Sequence, residues 1–132
     1  MHGAGGDPSG LVGARLQRVV ASRHVLGDLV DAEPIDVWLI DDAGACTHIT
    51  SGSDWCLIVE ASALFEGYDM GTWGRVEVHE RSDTPFAPHV GERVLSVEQV
   101  WAPMTGRVAL VIAFESGPVC CESQAGELRL RT

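Results

Sequence analysis

The sequence contains no lysine, and its nine arginines face 19 acidic residues, for a formal net charge of −10. Binding to nucleic acids or to anionic membranes depends on clusters of basic side chains. The scarcity of positive charge therefore argues against both functions and favours a basic protein as a partner. The same charge also keeps a small protein in solution without serving any specific function.

Long apolar runs are also missing from the sequence. The longest, Val108–Phe114, has seven residues, whereas a membrane-spanning helix needs about 20. The first residues, MHGAGGDPSG, have neither the basic start nor the apolar centre of a signal peptide. We therefore expect a cytoplasmic protein with a disordered tail over residues 1–10.

Motifs for metal binding or catalysis are scarce. None of the four cysteines has CxxC spacing, and no G-x-S-x-G motif occurs. Cys46 and His48 are two residues apart on a predicted strand, so their side chains share a face, and thiolate and imidazole both bind zinc. Nothing in the spacing supplies further ligands. The sequence thus predicts no metal and no cofactor, with Cys46 and His48 as the pair to bind a metal if one is held, and it favours a non-catalytic protein while leaving a hydrolase open.

An internal similarity is the main positive feature of the chain. Residues Ile35–Val59 (IDVWLIDDAGACTHITSGSDWCLIV) consist of three apolar runs separated by a glycine turn and a Ser/Gly break. Residues Arg107–Arg131 (RVALVIAFESGPVCCESQAGELRLR) have the same order of runs and breaks. Matching segments precede the two copies, Val12–Leu16 and Val90–Val94. This pattern predicts a duplicated unit with three strands in a meander and a further strand before it.

The predicted fold class is all-β and mainly antiparallel, with two pseudo-symmetric meander repeats that form a sandwich or a barrel. Residues 11–132 form one domain, built from repeats 11–59 and 89–131 and a linker with one strand near 75–79. Residues 22–34 are ambiguous, and their apolar spacing permits one helical turn before Pro34. The four tryptophans are expected to fill much of the core; they are Trp38, Trp55, Trp73 and Trp101.

The repeated pattern of Gly-x-Arg-apolar, strand, Asp/Ser-Gly turn, strand and Trp/Leu-x-Leu strand resembles small duplicated β-domains of unknown function from actinobacteria. The resemblance covers Val12–Val59 and Val90–Arg131. It implies no activity and no catalytic residues. Since Arg15 and Arg93 occupy the same place in both copies, it favours an architectural role for them.

Two functional hypotheses remain open at the level of sequence. The first is a non-catalytic, immunity-like or accessory protein-binding module that uses acidic and aromatic residues, with self-association into a homodimer. The second is a small-ligand or metal-binding β-barrel with Cys46, His48 and tryptophans lining its interior. The candidate binding residues of the first hypothesis are Asp36, Asp41, Asp42, Tyr68 and Trp73.

Overall fold

The computed structural model of the protein describes residues 8–31, 33–52, 54–80 and 83–132. Within these ranges the chain forms eleven strands and three short 3-10 helical turns, and it contains no α-helix. The strands are antiparallel and build two sheets that stack as a sandwich without closing into a barrel. The predicted all-β, antiparallel fold class is therefore confirmed, in its sandwich form.

The first sheet uses the N-terminal part of the chain. Its strands have the bounds β1 Leu16–Leu26, β2 Leu29–Val30, β3 Asp36–Asp41, β4 Cys46–Ser51, β5 Leu57–Ala61, β6 Tyr68–Asp69 and β7 Arg75–Glu80. Their order across the sheet is β5-β4-β3-β1-β7-β6, and β2 pairs with the end of β1. The predicted strand near 75–79 is therefore present as β7, next to β1.

The second sheet uses the C-terminal part. Its strands have the bounds β8 Val94–Ala102, β9 Gly106–Phe114, β10 Gly117–Gln124 and β11 Glu127–Arg131. Their order is β11-β10-β9-β8. The series β1-β3-β4-β5 and β8-β9-β10-β11 therefore have one topology, a strand followed by a three-stranded meander. That the two arose by duplication stays a prediction.

The hydrophobic core lies between the two sheets. In β3, Val37 and Leu39 face this core, while Trp38 faces the other side because successive strand residues point in opposite directions. The largest fully buried core side chain contributed by a connection is Phe86, which packs edge-on against Phe114. Burial of this apolar surface is the main source of stability for a domain of this size.

The two halves meet at their starting segments through reciprocal backbone hydrogen bonds. The Gly13 N–H donates to the Val94 carbonyl at 2.8 Å, and the Gly91 N–H donates to the Leu16 carbonyl at 2.7 Å. Both glycines have a positive φ, 88° and 93°, which residues other than glycine rarely adopt. The sequence-matched segments therefore form one pseudo-symmetric junction between the sheets.

Arg15 and Arg93 pair with each other as an isolated antiparallel bridge at this junction. The Arg15 guanidinium also donates to the Gly91 carbonyl at 2.6 Å. These contacts hold one sheet to the other, which agrees with the architectural role expected for the two arginines.

Several local features add to or differ from the interpretation of the sequence. Residues 22–34 were ambiguous, and in the described part of this range β1 continues to Leu26 and returns through Gly27 and Asp28 as β2. Of the proposed tail, residues 1–7 lie outside the described residues, and Pro8–Leu11 forms a 3-10 turn. Among the tryptophans only Trp38 is buried, and it lies outside the main core; Trp55, Trp73 and Trp101 are exposed.

Candidate functional site

The outer face of the first sheet carries an unusual buried polar cluster. One cross-strand row joins Val20, Trp38, His48 and Glu60 on four neighbouring strands. Trp38 is fully buried there, stacked on the His48 ring with centroids 4.9 Å apart. Phe65, from the loop after β5, meets Trp38 edge-on at 4.8 Å and helps to cover it.

Asp36 is the centre of this cluster. Its Oδ1 lies 2.7 Å from His48 Nε2, and its Oδ2 accepts a hydrogen bond from the Ser22 hydroxyl at 2.7 Å. The Ser22 Oγ in turn accepts the Asp36 N–H at 2.9 Å. Glu60 Oε1 lies 3.6 Å from His48 Nδ1, beyond hydrogen-bond distance. The chain has thus enclosed a charged pair by giving its members specific partners.

The pKa values of the pair follow from this geometry. Burial alone would raise the pKa of Asp36, but the hydrogen bonds from His48 and Ser22 outweigh it and the pKa is lowered. Burial alone would lower the pKa of His48, but the hydrogen bond and negative charge of Asp36, with a smaller effect of Glu60, leave it raised. Both shifts favour the charged form of the group relative to an isolated side chain.

This cluster is not arranged for nucleophilic catalysis. In a serine triad the histidine contacts the serine hydroxyl through one nitrogen and the carboxylate through the other. Here Ser22 and His48 both bind the carboxylate of Asp36, and the serine is fully buried. The contacts stabilise the sheet and leave no activated hydroxyl.

A second serine–histidine–carboxylate group closes the turn between β9 and β10. His89 Nδ1 lies 3.0 Å from Glu92 Oε1 and 3.2 Å from Ser116 Oγ, so one nitrogen meets both groups. The Ser116 N–H and hydroxyl both donate to Glu92, at 3.0 and 2.7 Å. Hydrogen bonds from His89 and Ser116 lower the pKa of Glu92 to about 2. Glu92 therefore anchors this turn as a carboxylate.

The thiols show no sign of activation. The pKa values of all four cysteines are raised, in each case chiefly by burial, and that of Cys56 reaches about 11. A reactive or metal-binding cysteine needs its thiolate form. Cys46 and His48 do lie on one strand two residues apart, but no group of three or more His, Cys, Asp or Glu side chains in the described ranges could hold a metal ion.

An exposed apolar surface lies at one end of the same sheet. We call it the Trp73 surface, and it consists of Leu26, Leu29, Tyr68 and Trp73. Trp73 is 78% exposed and Leu29 is 73% exposed. Leu26 pairs with Leu29 across the β1–β2 hairpin, and the row His24–Val76–Tyr68 follows next to them on the sheet. Large apolar side chains gathered at an exposed site are typical of a binding surface.

The backbone under Trp73 is firmly held. The Trp73 carbonyl accepts a hydrogen bond from His24 Nε2 at 2.6 Å, and the Met70 N–H donates to the Gly74 carbonyl at 2.7 Å. Gly74 has φ 95°, and a Cβ there would lie 2.3 Å from the Val25 carbonyl oxygen. Only glycine lets this turn pack so closely on β1. An exposed indole is thus presented on an ordered main chain.

Acidic residues border the Trp73 surface. Asp28 is exposed in the β1–β2 turn, Asp31 follows β2, and Asp69 lies at the end of β6. The nearby Arg75 is paired with Glu77 at 2.6 Å. The border is therefore negative, as expected for a surface that meets a basic molecule.

The structure divides the binding residues predicted from the sequence. Tyr68 and Trp73 are exposed on one surface. Asp41 and Asp42 lie at the other end of β1, where Leu16 pairs with Asp41. At about 3.3 Å per strand residue, the two ends of β1 are about 33 Å apart. Asp36 is buried and belongs to no exposed acidic surface, because its carboxylate serves His48 and Ser22.

The sequence signal for the hairpin in this surface was missed. Gly27-Asp28 between Val25-Leu26 and Leu29-Val30 is a two-residue turn between apolar pairs, a known hairpin pattern. Read in this way, the sequence would have placed Leu26 and Leu29 side by side. No such pattern indicates the contact between this hairpin and the Trp73 turn.

A cleft at the rim between the sheets has a volume of about 450 Å³. Its lining includes Asp31, Glu33, Thr50, Glu127 and Arg129, and it contains neither Cys46, nor His48, nor a tryptophan. The interior of the sandwich is filled by core side chains. The arrangement required by a ligand-binding barrel is thus absent from the described part of the chain.

No helix in the described ranges has the length and apolar character to cross a membrane. Searches of the chain against protein-family models, curated proteins and solved structures gave no significant match. The residues and their geometry are thus the basis for a functional conclusion.

Proposed function

We propose that this protein is a non-catalytic binding module that attaches to a basic partner protein through the Trp73 surface. The observation that carries the proposal is the presentation of a highly exposed tryptophan on a fixed turn, beside other exposed apolar side chains. Exposed tryptophan and tyrosine residues are enriched among the residues that dominate binding energy at protein interfaces.

The rigidity of the turn supports this role. A partner that meets a preformed surface does not have to order it, so less of the interaction energy is lost to conformational entropy. The hydrogen bond from His24 to the Trp73 carbonyl and the close packing of Gly74 against Val25 supply that order before binding.

The charge supports a basic partner. Asp28, Asp31 and Asp69 border the apolar centre, and the whole chain has a net charge of −10. Such a surface accelerates association with a positive protein and makes the binding sensitive to salt. An immunity-like protein that covers a basic toxin or nuclease would have this chemistry.

The test compares two exposed tryptophans. The tagged protein and its Trp73→Ala and Trp55→Ala variants are used to purify partners from the source cells, followed by titration calorimetry with the purified partner. Trp55 is also exposed, at 60%, but lies next to Gly126 of the second sheet. We expect Trp73→Ala to weaken binding by at least about 2 kcal/mol, roughly 30-fold, and Trp55→Ala to leave it within about threefold.

Salt dependence gives the second readout. We expect a partner with an excess of lysine and arginine, and an affinity that falls steeply as the salt concentration rises. Equal binding by wild type and Trp73→Ala would remove this surface from the proposal. A partner with a neutral or acidic surface would contradict the electrostatic part.

A further inference from the structure

The sandwich has one long sheet edge without the usual protection. Among the edges in the described part of the chain, β6 has two residues, β5 has five residues and carries Glu60, and β11 carries Glu127, Arg129 and Arg131. The free part of β7 bears Glu77, His79 and Glu80. Short length and charged side chains both prevent edge-to-edge pairing. β8 is longer, with nine residues from Val94 to Ala102, and carries one charged side chain, Glu98.

The side chains of β8 are unusual for a solvent edge. Leu95, Val100 and Trp101 are exposed, and Glu98 is the single charged residue of the strand. Met104, in the turn that follows, is 93% exposed. A solvent edge of this kind leaves backbone N–H and C=O groups and apolar area uncovered, so it favours the addition of another strand.

Two bulges define the segment of β8 that another strand could pair with. At its start, Val94 and Ser96 pair with consecutive residues of β9, so Leu95 is an extra residue in β8. At its end, Val100 and Trp101 pair with Ala109 and Arg107, so the extra residue there belongs to β9. β8 itself is therefore regular over the seven residues from Ser96 to Ala102, with Gln99 at the centre.

We propose that two copies of this chain join through β8, antiparallel and about a twofold axis at Gln99, to form one continuous eight-stranded sheet. In an antiparallel pair related by a twofold axis, residues equally far from the axis on the two strands face each other. Each Val97 then meets Trp101 of the other copy, and each Glu98 meets Val100.

This register suits the side chains. Val97, Gln99 and Trp101 lie on the core side of the sheet, where Arg107 donates to Gln99 at 2.9 Å and covers the Trp101 ring at 5.4 Å. An aromatic ring opposite a β-branched side chain is a favourable cross-strand pair. On the outer side, Glu98 faces an apolar residue and avoids the Glu98 of the other copy.

The charge of Glu98 disfavours an alignment of the two copies centred one residue earlier. Centring the axis on Glu98 would place two carboxylates opposite each other, which is destabilising. The net charge of −10 resides mainly on other elements, because β8 contributes one acidic residue. At physiological ionic strength, charges separated by more than about 8 Å are largely screened.

The test uses the predicted contact between Glu98 and Val100. Analytical ultracentrifugation gives the dimer dissociation constant of the wild type and of two variants, Val100→Lys and Val100→Glu. The lysine should attract Glu98 of the other copy and tighten the dimer, and the glutamate should repel it and weaken the dimer. We expect the two constants to differ on the order of tenfold, since each dimer contains two such contacts.

The controls separate this contact from a general effect of charge. Val30→Lys and Val30→Glu place the same charges on an exposed strand valine of the first sheet and should change the constant little. The double variant Glu98→Lys/Val100→Glu should restore a tight dimer. A second readout is Gln99→Cys, which should form a disulfide between copies under mild oxidation, because facing Cα atoms are within about 5.5 Å.

Three results would overturn the proposal. One is a wild type that remains monomeric at the highest concentration that can be reached. Another is a dimer that responds equally to the lysine and glutamate variants of Val100. The third is a β8 edge that becomes protected from hydrogen exchange only when a different protein is added, which would identify that protein as the occupant.

Discussion

The two four-stranded series of this protein have the same topology but different surroundings. β1 in the first sheet has β3 on one side and β7 on the other, with six ladder pairs to β7. β8, its counterpart in the second sheet, has β9 on one side and no strand of the described chain on the other. One strand therefore lies inside its sheet, and its counterpart lies at an edge.

The outer faces differ in the same way. Counted from the first ladder pair of each half, Leu16–Asp41 and Val94–Phe114, the pair Ser22–Asp36 corresponds to Val100–Ala109. The Ser22–Asp36 pair is buried and includes a carboxylate, whereas Val100 of the corresponding pair is exposed. Burying a carboxylate requires neighbours that bond to it and cover it. The added β6–β7 segment and the Phe65 loop supply the cover on one half only, so the topology alone does not decide what a strand position can hold.

Of the changes that test this difference between the two halves, Asp36→Ala should reduce stability most. In Asp36→Ala, His48 keeps its buried position without its 2.7 Å carboxylate partner, and Ser22 loses its acceptor. Breaking a buried charge pair in this way costs about 3–5 kcal/mol of the free energy of unfolding. Urea denaturation followed by circular dichroism measures the loss. The exposed Asp42→Ala should stay within about 0.5 kcal/mol, and an equal effect of the two would mean that the cluster is not a stabilising one.

A substitution of Gly74 tests the packing of the β6–β7 segment against β1, and its effect on stability should be smaller. Gly74→Ala places a Cβ about 2.3 Å from the Val25 carbonyl oxygen, so the turn before β7 must move away from β1. We expect a loss of about 1–3 kcal/mol and faster hydrogen exchange in β7. Gly44→Ala is the matched control, because Gly44 also has positive φ, 85°, but open space around it. Gly44→Ala should lose less stability and should leave hydrogen exchange in β7 unchanged. Faster hydrogen exchange in β7 in both variants would contradict the role of Gly74.

The pH dependence should give the smallest and most specific effect. The pKa of His48 is raised in the folded protein, so its stabilisation is complete below its ordinary pKa of 6.5 and is lost as the pH rises through the folded pKa. The pKa of Asp36 is lowered, so its stabilisation is complete above its ordinary pKa of 3.8 and is lost as the pH falls through the folded pKa.

We therefore expect the stability difference between wild type and His48→Gln to be greatest between about pH 4 and pH 6.5 and to shrink at alkaline pH. Urea denaturation at several pH values measures it. A difference that grows with pH would contradict the raised pKa of His48.

Strand positions were largely predictable from the sequence because alternation of apolar residues and glycine turns act locally. The strands β3 to β5 and β9 to β11 begin and end within two residues of the predicted units Ile35–Val59 and Arg107–Arg131, and the turn at Gly44 is present. The class of the fold followed from these elements alone. The choice between sandwich and barrel did not, since it depends on which strands lie at the sheet edges.

The candidate sites were harder to predict because they depend on contacts between distant segments. Asp36 and His48 are twelve residues apart and occupy facing strands, so their pairing requires the register of β3 and β4. Whether a tryptophan is buried depends on what covers it: Trp38 is covered by the Phe65 loop, while Trp55, Trp73 and Trp101 are exposed. Residue type alone gave the wrong answer for those three and for Asp36.

The two sheets use consecutive, non-overlapping parts of the chain. The first ends with Glu80 and the second begins with Val94, and the bridge between Arg15 and Arg93 fastens one to the other. Each layer can therefore acquire its strand pairing within its own part of the chain, although β1 and β7 of the first sheet pair across a long stretch of sequence, from Val20–Glu80 to Val25–Arg75. A chain cut between β7 and β8 would retain every ladder of both layers. The protein could therefore be divided into two fragments whose reassociation can be measured.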